Sequence, residues 1–332
     1  MRTAYDLAIV TGVTVRVPAK LNLQLAVGPP RADGYHGLVT VFHAVSLFDE
    51  VTAESAGRDG VSVSGEGADR VPCDQDNLAL RAVAALRAAV GGRAARAAGV
   101  HVTIAKRIPV AAGLAGGSAD AAAALVACNE LWGSGLGQQQ LVEVAAKVGS
   151  DVAFALLGGT AVGRGRGERL TPALAPATAY HWVLAFADGY LSTPEVYATL
   201  DRLRSGARGG PGGAPGDGPG HRPGPAEPDL DAALMSALRS GDARLVGRTL
   251  SNDLQQAALS LFPPLRKTLS AGLELGALGA LVAGSGPTCV FLAASADRAL
   301  DLAASLSGAG VCRSVARVTG PVPGAAIVAA PK

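Results

Sequence analysis

Four short segments carry groups that could do chemistry. Residues 112–118, Ala-Gly-Leu-Ala-Gly-Gly-Ser, stand directly before a strongly helical composition. Consecutive small residues let backbone N–H groups converge on an anion, and a following helix adds its free N–H groups and positive end. The same run also suits a tight strand-to-helix turn with no ligand. It is neither common nucleotide loop. A Walker loop needs Lys after its last Gly, where this chain has Ser118 and Ala119, and the dinucleotide fingerprint GxGxxG is missed by glycines at 113, 116 and 117. Lys20 and Asn22 stand in PAKLN at 18–22, beside a strand junction; taken alone, the lysine suits the solvated surface. Asp151, between the apolar runs AAKVGS and VAFALL, is either a helix cap or a functional acid. The turn 284–288, Gly-Ser-Gly-Pro-Thr, is either a plain hairpin or a second backbone nest.

These groups need elements to hold them, and the pattern of the chain is α+β. Period-two runs predict strands at 13–17 (ended by Pro18), 21–27, 39–47, 61–64, 100–104 and 182–186. Ala- and Leu-rich stretches predict helices at 78–98 (with Asp76 as N-cap), 118–131, 136–148 and 194–203. Toward the C-terminus, helical stretches at 230–250, 264–276 and 295–309 alternate with strands at 279–283, 288–293, 315–319 and 325–329. Residues 206–228 are dominated by Gly and Pro with no apolar side chain larger than Ala or Pro, so a flexible insertion is expected there.

The composition narrows the function classes. At 49% hydrophobic residues the 332-residue chain can bury a large core, and at 4% aromatic that core must be built from Ala, Val and Leu. Lys+Arg 29 against Asp+Glu 27 leaves a formal charge of +2, which gives no global electrostatic case for a nucleic-acid partner. Cys73, Cys128, Cys289 and Cys312 form no CxxC pair, which removes support for zinc-knuckle and thioredoxin chemistry. With no secretory leader and no long apolar span, the reading is a cytoplasmic protein with no membrane partner. Either a monomer or a homodimer fits.

Three of the four segments, taken in order, resemble the motifs of the GHMP kinases: PAKLNL at 18–23, the loop from Pro109 to Ala119, and GSGPT at 284–288. The run ADGYH at 32–36 narrows the resemblance to members that phosphorylate a cytidine diphosphate polyol in the non-mevalonate route to isoprenoids. Homoserine- and mevalonate-type relatives lack that run and are the alternative, followed by a non-catalytic nucleotide-binding regulator.

The resemblance implies a two-domain architecture. An N-terminal ATP-binding domain would occupy 1–170 and a ferredoxin-like α/β sandwich 171–332, with the active site in the cleft between them. It implies ATP and Mg²⁺ as cofactors and a small-molecule cytidine diphosphate polyol as the partner. Lys20 and Asp151 become the catalytic pair, the aspartate accepting the hydroxyl proton and the lysine stabilising developing negative charge. Asp76, Asn77, Lys106, Pro109, Gly113, Leu114, Ala115, Gly116, Gly117 and Ser118 become the ATP site, with Ser118 near a phosphate or Mg²⁺. Asn22, Tyr35, His36 and Tyr190 become the acceptor site, the aromatic rings offering cytosine a stacking surface. Asn252 and Asp253 become structural supports near the cleft. Many relatives carry more glycine in the loop. Alanines at 111, 112, 115 and 119 are therefore expected at negative φ, leaving the glycines to make the sharp turns.

Overall fold

The computed structural model describes residues 12–32, 34–91, 99–174, 178–208 and 228–329. Its first sheet is built on two long antiparallel strands, β1 (Gly12–Pro30) and β2 (His36–Ala56). One strand, not two, covers 13–27. Pro18 was expected to end the first, but the ladder shifts register between Pro18 and Ala19 and continues. A residue without an N–H is tolerated at such an irregularity. Lys20 and Asn22 thus lie inside a strand.

After β3 (Gly60–Gly65) and α1 (Leu78–Val90) the chain enters β4 (Gly99–Lys106). Helix α1 ends earlier than the predicted 98, with Gly91 at φ 58 as its C-cap; residues 92–98 lie outside the described residues. Its N-cap is Asn77, whose side chain accepts from Ala79 N, and not Asp76. Then come α2 (Gly116–Leu131), α3 (Gln138–Val148), α4 (Ser150–Leu157), and a hairpin, β5 (Thr160–Gly165) and β6 (Arg169–Pro172), that the sequence reading did not find. Strand β2 pairs β4 through its C-terminal half and β5 through its N-terminal half, so the sheet splits around the base of the loop.

The second sheet is formed by β7 (Tyr180–Phe186), β9 (Gly279–Val282), β10 (Cys289–Ala293) and β11 (Ser314–Gly320), in the spatial order β11-β7-β10-β9, all antiparallel. Helices α5 (Thr193–Arg208), α6 (Ala232–Ser240), α7 (Ala243–Thr249), α8 (Gln255–Leu261) and α9 (Pro264–Glu274) lie between β7 and β9, and α10 (Ala296–Gly308) lies between β10 and β11. This is the βαββαβ order of a ferredoxin-like sandwich, as expected. The predicted helix 230–250 is two helices, because Gly241 turns at φ 71 and Asp242 caps α7. Helix α5 continues to Arg208, past the expected start of the Gly/Pro segment; the rest of that segment, 209–227, lies outside the described residues. The short β8 (Ser251–Asn252) and the last strand, β12 (Ala326–Ala329), pair with β1, so the end of the chain returns to the first sheet.

Period two sets the packing of the second sheet. Trp182, Leu184, Val290 and Leu292 face the first sheet and α6, whereas Val183, Ala185, Phe291 and Ala293 face α5 and α8–α10. Helix α2 is buried on nearly all sides, with Ala121–Ala124, Leu125, Ala127 and Cys128 inside, which small side chains permit at close interhelical distance. Among the described residues no helix is long and apolar enough to cross a membrane.

The two sheets meet at His43. Its Nδ1 shares a 2.9 Å hydrogen bond with Thr160 Oγ1, and its ring meets Tyr180 and Trp182 edge-on at 5.8 and 5.7 Å. Burial pulls its pKa down to about 3, and the Gly320 backbone offsets only part of that shift. The unfolded chain takes up a proton here below about pH 6.5, while the folded chain does so only near pH 3, so stability falls with pH across that window. Urea unfolding should show that loss, and His43→Gln should remove about 1 kcal/mol per pH unit from the slope. An unchanged slope would contradict the burial argument.

Candidate active site

Lys106 is the last residue of β4, and its ammonium is fully enclosed. Nζ donates to Asp49 Oδ2 at 2.5 Å and to Asp120 Oδ2 at 2.6 Å. Asp49 also accepts from the backbone N–H of Arg107 and Ile108, so one carboxylate fixes the entry to the loop. Asp120 lies four residues into α2 and fixes the exit. Burial alone would lower the ammonium's pKa, but the two carboxylates outweigh it and hold it above its ordinary value. Burial pushes the Asp120 carboxyl up to about 8 against the pull of Lys106. Two carboxylates share one cation, and the better-solvated of the two by hydrogen bonds is Asp49.

The loop between these anchors is tighter than its sequence suggests. Ala111 and Ala115 both have positive φ, 54° and 59°, where negative values were expected. Ala115 is the left-handed N-cap of α2, which begins at Gly116 and not at Ser118. An alanine in this region costs about 1–2 kcal/mol, and the anchors at Asp49 and Asp120 hold it there. Gly113, at φ 79, is required for a second reason: a Cβ would strike the Ala283 carbonyl. The loop therefore abuts the turn at 284–288. That turn is a hairpin between β9 and β10, closed by Ala283 N donating to Thr288 O, and it also borders the cleft. Asn252 holds it, donating to the carbonyls of Val282 and Gly284 at 2.7 Å. Asp253 accepts from Val27 N and Arg204.

A cleft of about 480 Å³ opens where loop, turn and β1 meet. Lys20 enters it from β1. Its Nζ donates to Asn22 Oδ1 at 2.6 Å and stands 3.6 Å from Asp151 Oδ2. Asn22 in turn donates to Thr40 Oγ1 at 2.8 Å, which donates to the Gln24 carbonyl. The chain of bonds fixes Asn22, which holds the Lys20 ammonium beside the carboxylate. Asp151 lies in the first turn of α4, but the helix is capped by Gly149, so the aspartate is not its N-cap. A cation and a carboxylate are thus held together beside a small-residue loop and a helix N-terminus, an arrangement able to orient a hydroxyl for attack on a phosphoryl group.

The structure sorts the predicted site residues. Asp76, Asn77, Lys106, Pro109, Gly113, Ala115, Gly116, Gly117 and Ser118 line this cleft together with Lys20, Asn22 and Asp151. The Lys106 ammonium, however, is committed to Asp49 and Asp120. Leu114 does not line it; its side chain is in the core and its carbonyl accepts from Lys20 N. His36 stands 3.0 Å from Asp201 Oδ1, with its ring 5.0 Å from that of Tyr197. Tyr35 is 55% exposed beneath the Arg166 guanidinium. Tyr190 does not join them: it is 64% exposed and pairs with Arg70 at another part of the rim.

Tyr197, which the sequence reading did not single out, is the tyrosine beside His36. It lines the cleft, and burial and then the charge of Asp151 raise its pKa. The signal was present: in TPEVY the ring follows Thr193 by one helical turn, and Thr193 is bonded to Ser285 of the turn. Asp49 and Asp120 were missed because nothing local marks a carboxylate as the partner of a distant lysine. Among the described residues no three His, Cys, Asp or Glu side chains form a metal cluster.

The chain is similar to known proteins over most of its length. Residues 77–159 match the family of GHMP kinases N terminal domain, and residues 234–312 match GHMP kinases C terminal. A 4-diphosphocytidyl-2-C-methyl-D-erythritol kinase of Thermobifida fusca is 55% identical, over 96% of this chain and 99% of that protein. A crystal structure of a 4-(cytidine 5'-diphospho)-2C-methyl-D-erythritol kinase superposes with TM-score 0.69 at 34% identity, covering 92% of this chain and 98% of the other. A homoserine kinase from Cytophaga hutchinsonii superposes with TM-score 0.70 at 20% identity, over 98% of this chain and 100% of that one, which shows the shared fold alone.

Two expectations follow from the loop and its anchors. Lys106→Met leaves two buried carboxylates without a cation and should cost about 3–5 kcal/mol in urea unfolding; a loss below about 1 kcal/mol would contradict the anchoring role. Ala111→Gly and Ala115→Gly relieve left-handed strain and should each stabilise by up to about 1 kcal/mol in the same measurement. A loss of stability on either change would show that the strain is absent.

Proposed function

The chain belongs to the GHMP kinase family, and on that premise we propose that it transfers the γ-phosphoryl group of ATP to the 2-hydroxyl of 4-diphosphocytidyl-2-C-methyl-D-erythritol, releasing ADP and the 2-phosphate. The observation that carries the reading is the convergence of the loop at 113–118 with the Lys20–Asp151 pair in one cleft. We place the ATP phosphates on the backbone N–H groups of the loop and the positive end of α2, and the nucleoside beside Asp76, Asn77 and Pro109. Asp151 orients the acceptor hydroxyl and takes its proton late in the transfer, since a carboxylate is a weak base for an alcohol. Lys20, aimed by Asn22, stabilises the negative charge that develops on the transferring group.

Asn22 also faces the polyol. His36, braced by Asp201, and Tyr197 form the wall on which cytosine stacks, with Tyr35 at its outer edge. Mg²⁺ arrives with the nucleotide and keeps most of its waters, so it needs few protein oxygens. The Ser118 hydroxyl and the Asp151 carboxylate are of the right hard-oxygen type for it. When bound, the ion neutralises phosphate charge. The division at 170/171 remains our assignment of the two domains, with β12 crossing back to the first sheet. A cytoplasmic metabolic enzyme acting on small molecules, independent of nucleic acid and membrane, fits the same reading.

Homoserine kinase shares the fold, so the acceptor must be tested directly. ADP release with Mg-ATP should be confined to the cytidyl substrate, with mevalonate and homoserine inert in parallel. Asp151→Asn should lower kcat by about 10²- to 10⁴-fold with both KM values little changed. Turnover on another alcohol would replace the acceptor while keeping the loop. Full activity in Asp151→Asn would remove the aspartate from the mechanism.

A further inference from the structure

The cleft meets anionic ligands with few uncommitted cations. Lys20 is beside Asp151, and Lys106 is held between Asp49 and Asp120. A third cation lines the same cleft. Arg70 closes a single 3-10 turn, Ala68–Arg70, that follows β3, and among the described residues its guanidinium has no carboxylate partner. It lies instead 5.4 Å over the ring of Tyr190, which belongs to the loop after β7. The two residues follow strands of different sheets and are both exposed, so their contact bridges the rim.

Three observations place this bridge at the nucleoside end. The turn carrying Arg70 packs on the entry to the phosphate loop, because a Cβ at Gly67 would lie 3.1 Å from Val110 Cγ2. The residues that follow Arg70, Val71 and Pro72, are apolar and form the cleft wall next to Asn77 and Leu78. Leu78 in turn lies against the loop's far side, with its Cδ1 3.5 Å from where a Gly117 Cβ would be. The result is a partly apolar wall beside the loop, with the Arg70 guanidinium on the cleft lining and the Tyr190 ring against that guanidinium. Apolar walls and a guanidinium that already presents its face to a ring suit a heteroaromatic base, and the backbone N–H groups of the loop suit the phosphates.

We propose that Arg70 and Tyr190 form a clasp over the purine of ATP, with the Arg70 guanidinium stacking on the base and Tyr190 backing it from the other side of the cleft. This rests on the reading of the cleft as an ATP site. It gives Tyr190 a place at the donor end, and it gives Arg70 a role in nucleotide affinity that is separate from phosphoryl transfer.

The test is isothermal titration of the full chain, without acceptor, using Mg-ATP and Mg-tripolyphosphate, with steady-state KM values alongside. Arg70→Ala should weaken Mg-ATP about 5- to 10-fold and leave tripolyphosphate within about 2-fold. Tyr190→Ala should act in the same direction, about 3-fold. KM for ATP should rise in both variants while KM for the acceptor holds. Both side chains are exposed, so neither substitution threatens the core. Equal weakening of tripolyphosphate would make Arg70 a phosphate ligand and overturn the clasp, as would an unchanged ATP affinity or a rise confined to the acceptor KM. If the wild-type chain binds tripolyphosphate but not ATP, or binds neither, the ATP reading itself fails and the clasp with it.

Discussion

The ammonium of Lys106, closed between Asp49 and Asp120, is the contact from which the rest of the site takes its position. It joins β2, β4 and α2 at one point, and through Asp49 it also fixes the N–H groups of Arg107 and Ile108. A buried ion cluster of this kind is not a large source of net stability, because desolvation offsets much of the attraction. Its value is directional. The cluster can be satisfied only when strand end, loop entry and helix start stand in one arrangement, and that arrangement aims the α2 N-terminus into the cleft. The same fixed ends hold Ala111 and Ala115 in a conformation alanine otherwise avoids.

The cleft then follows from how the two sheets approach each other. The loop and the hairpin turn approach so closely that a Cβ at Gly113 would strike the Ala283 carbonyl and one at Gly284 would crowd the Gly113 carbonyl. Asn252, at the point where β8 pairs with β1, ties the turn to the strand that carries Lys20. His43 packs the first sheet on Tyr180 and Trp182 of the second. Lys20 and Asp151 thus face each other because a strand and a helix start are fixed by separate contacts, and neither needs to move to form the pair. The return of β12 to β1 closes the chain across both halves.

Local pattern was enough for most of the elements and for the tight turn that leads into α2, since periodicity and small-residue runs are local signals. Family motifs supplied the pairing of Lys20 with Asp151, which no local pattern could. What escaped was of three kinds. Pro18 and Ala115 were read by intrinsic preference, and in both cases tertiary contacts override it. Asp76 stands one position from the cap of α1, which is Asn77, and Tyr190 stands seven residues before Tyr197, the tyrosine that lines the cleft. Asp49 and Asp120 needed the fold, because their partner is 57 residues away in one case and 14 in the other.

The central claim is that one cleft brings the γ-phosphate of ATP and the acceptor hydroxyl together at Lys20 and Asp151. A crystal structure with a non-hydrolysable ATP analogue and 4-diphosphocytidyl-2-C-methyl-D-erythritol tests it most directly. The account predicts the 2-hydroxyl oxygen about 3–3.5 Å from the γ-phosphorus and within hydrogen-bond reach of an Asp151 carboxylate oxygen. A 2-hydroxyl turned away from Asp151, or a triphosphate bound anywhere but at the loop of 113–118, would contradict it.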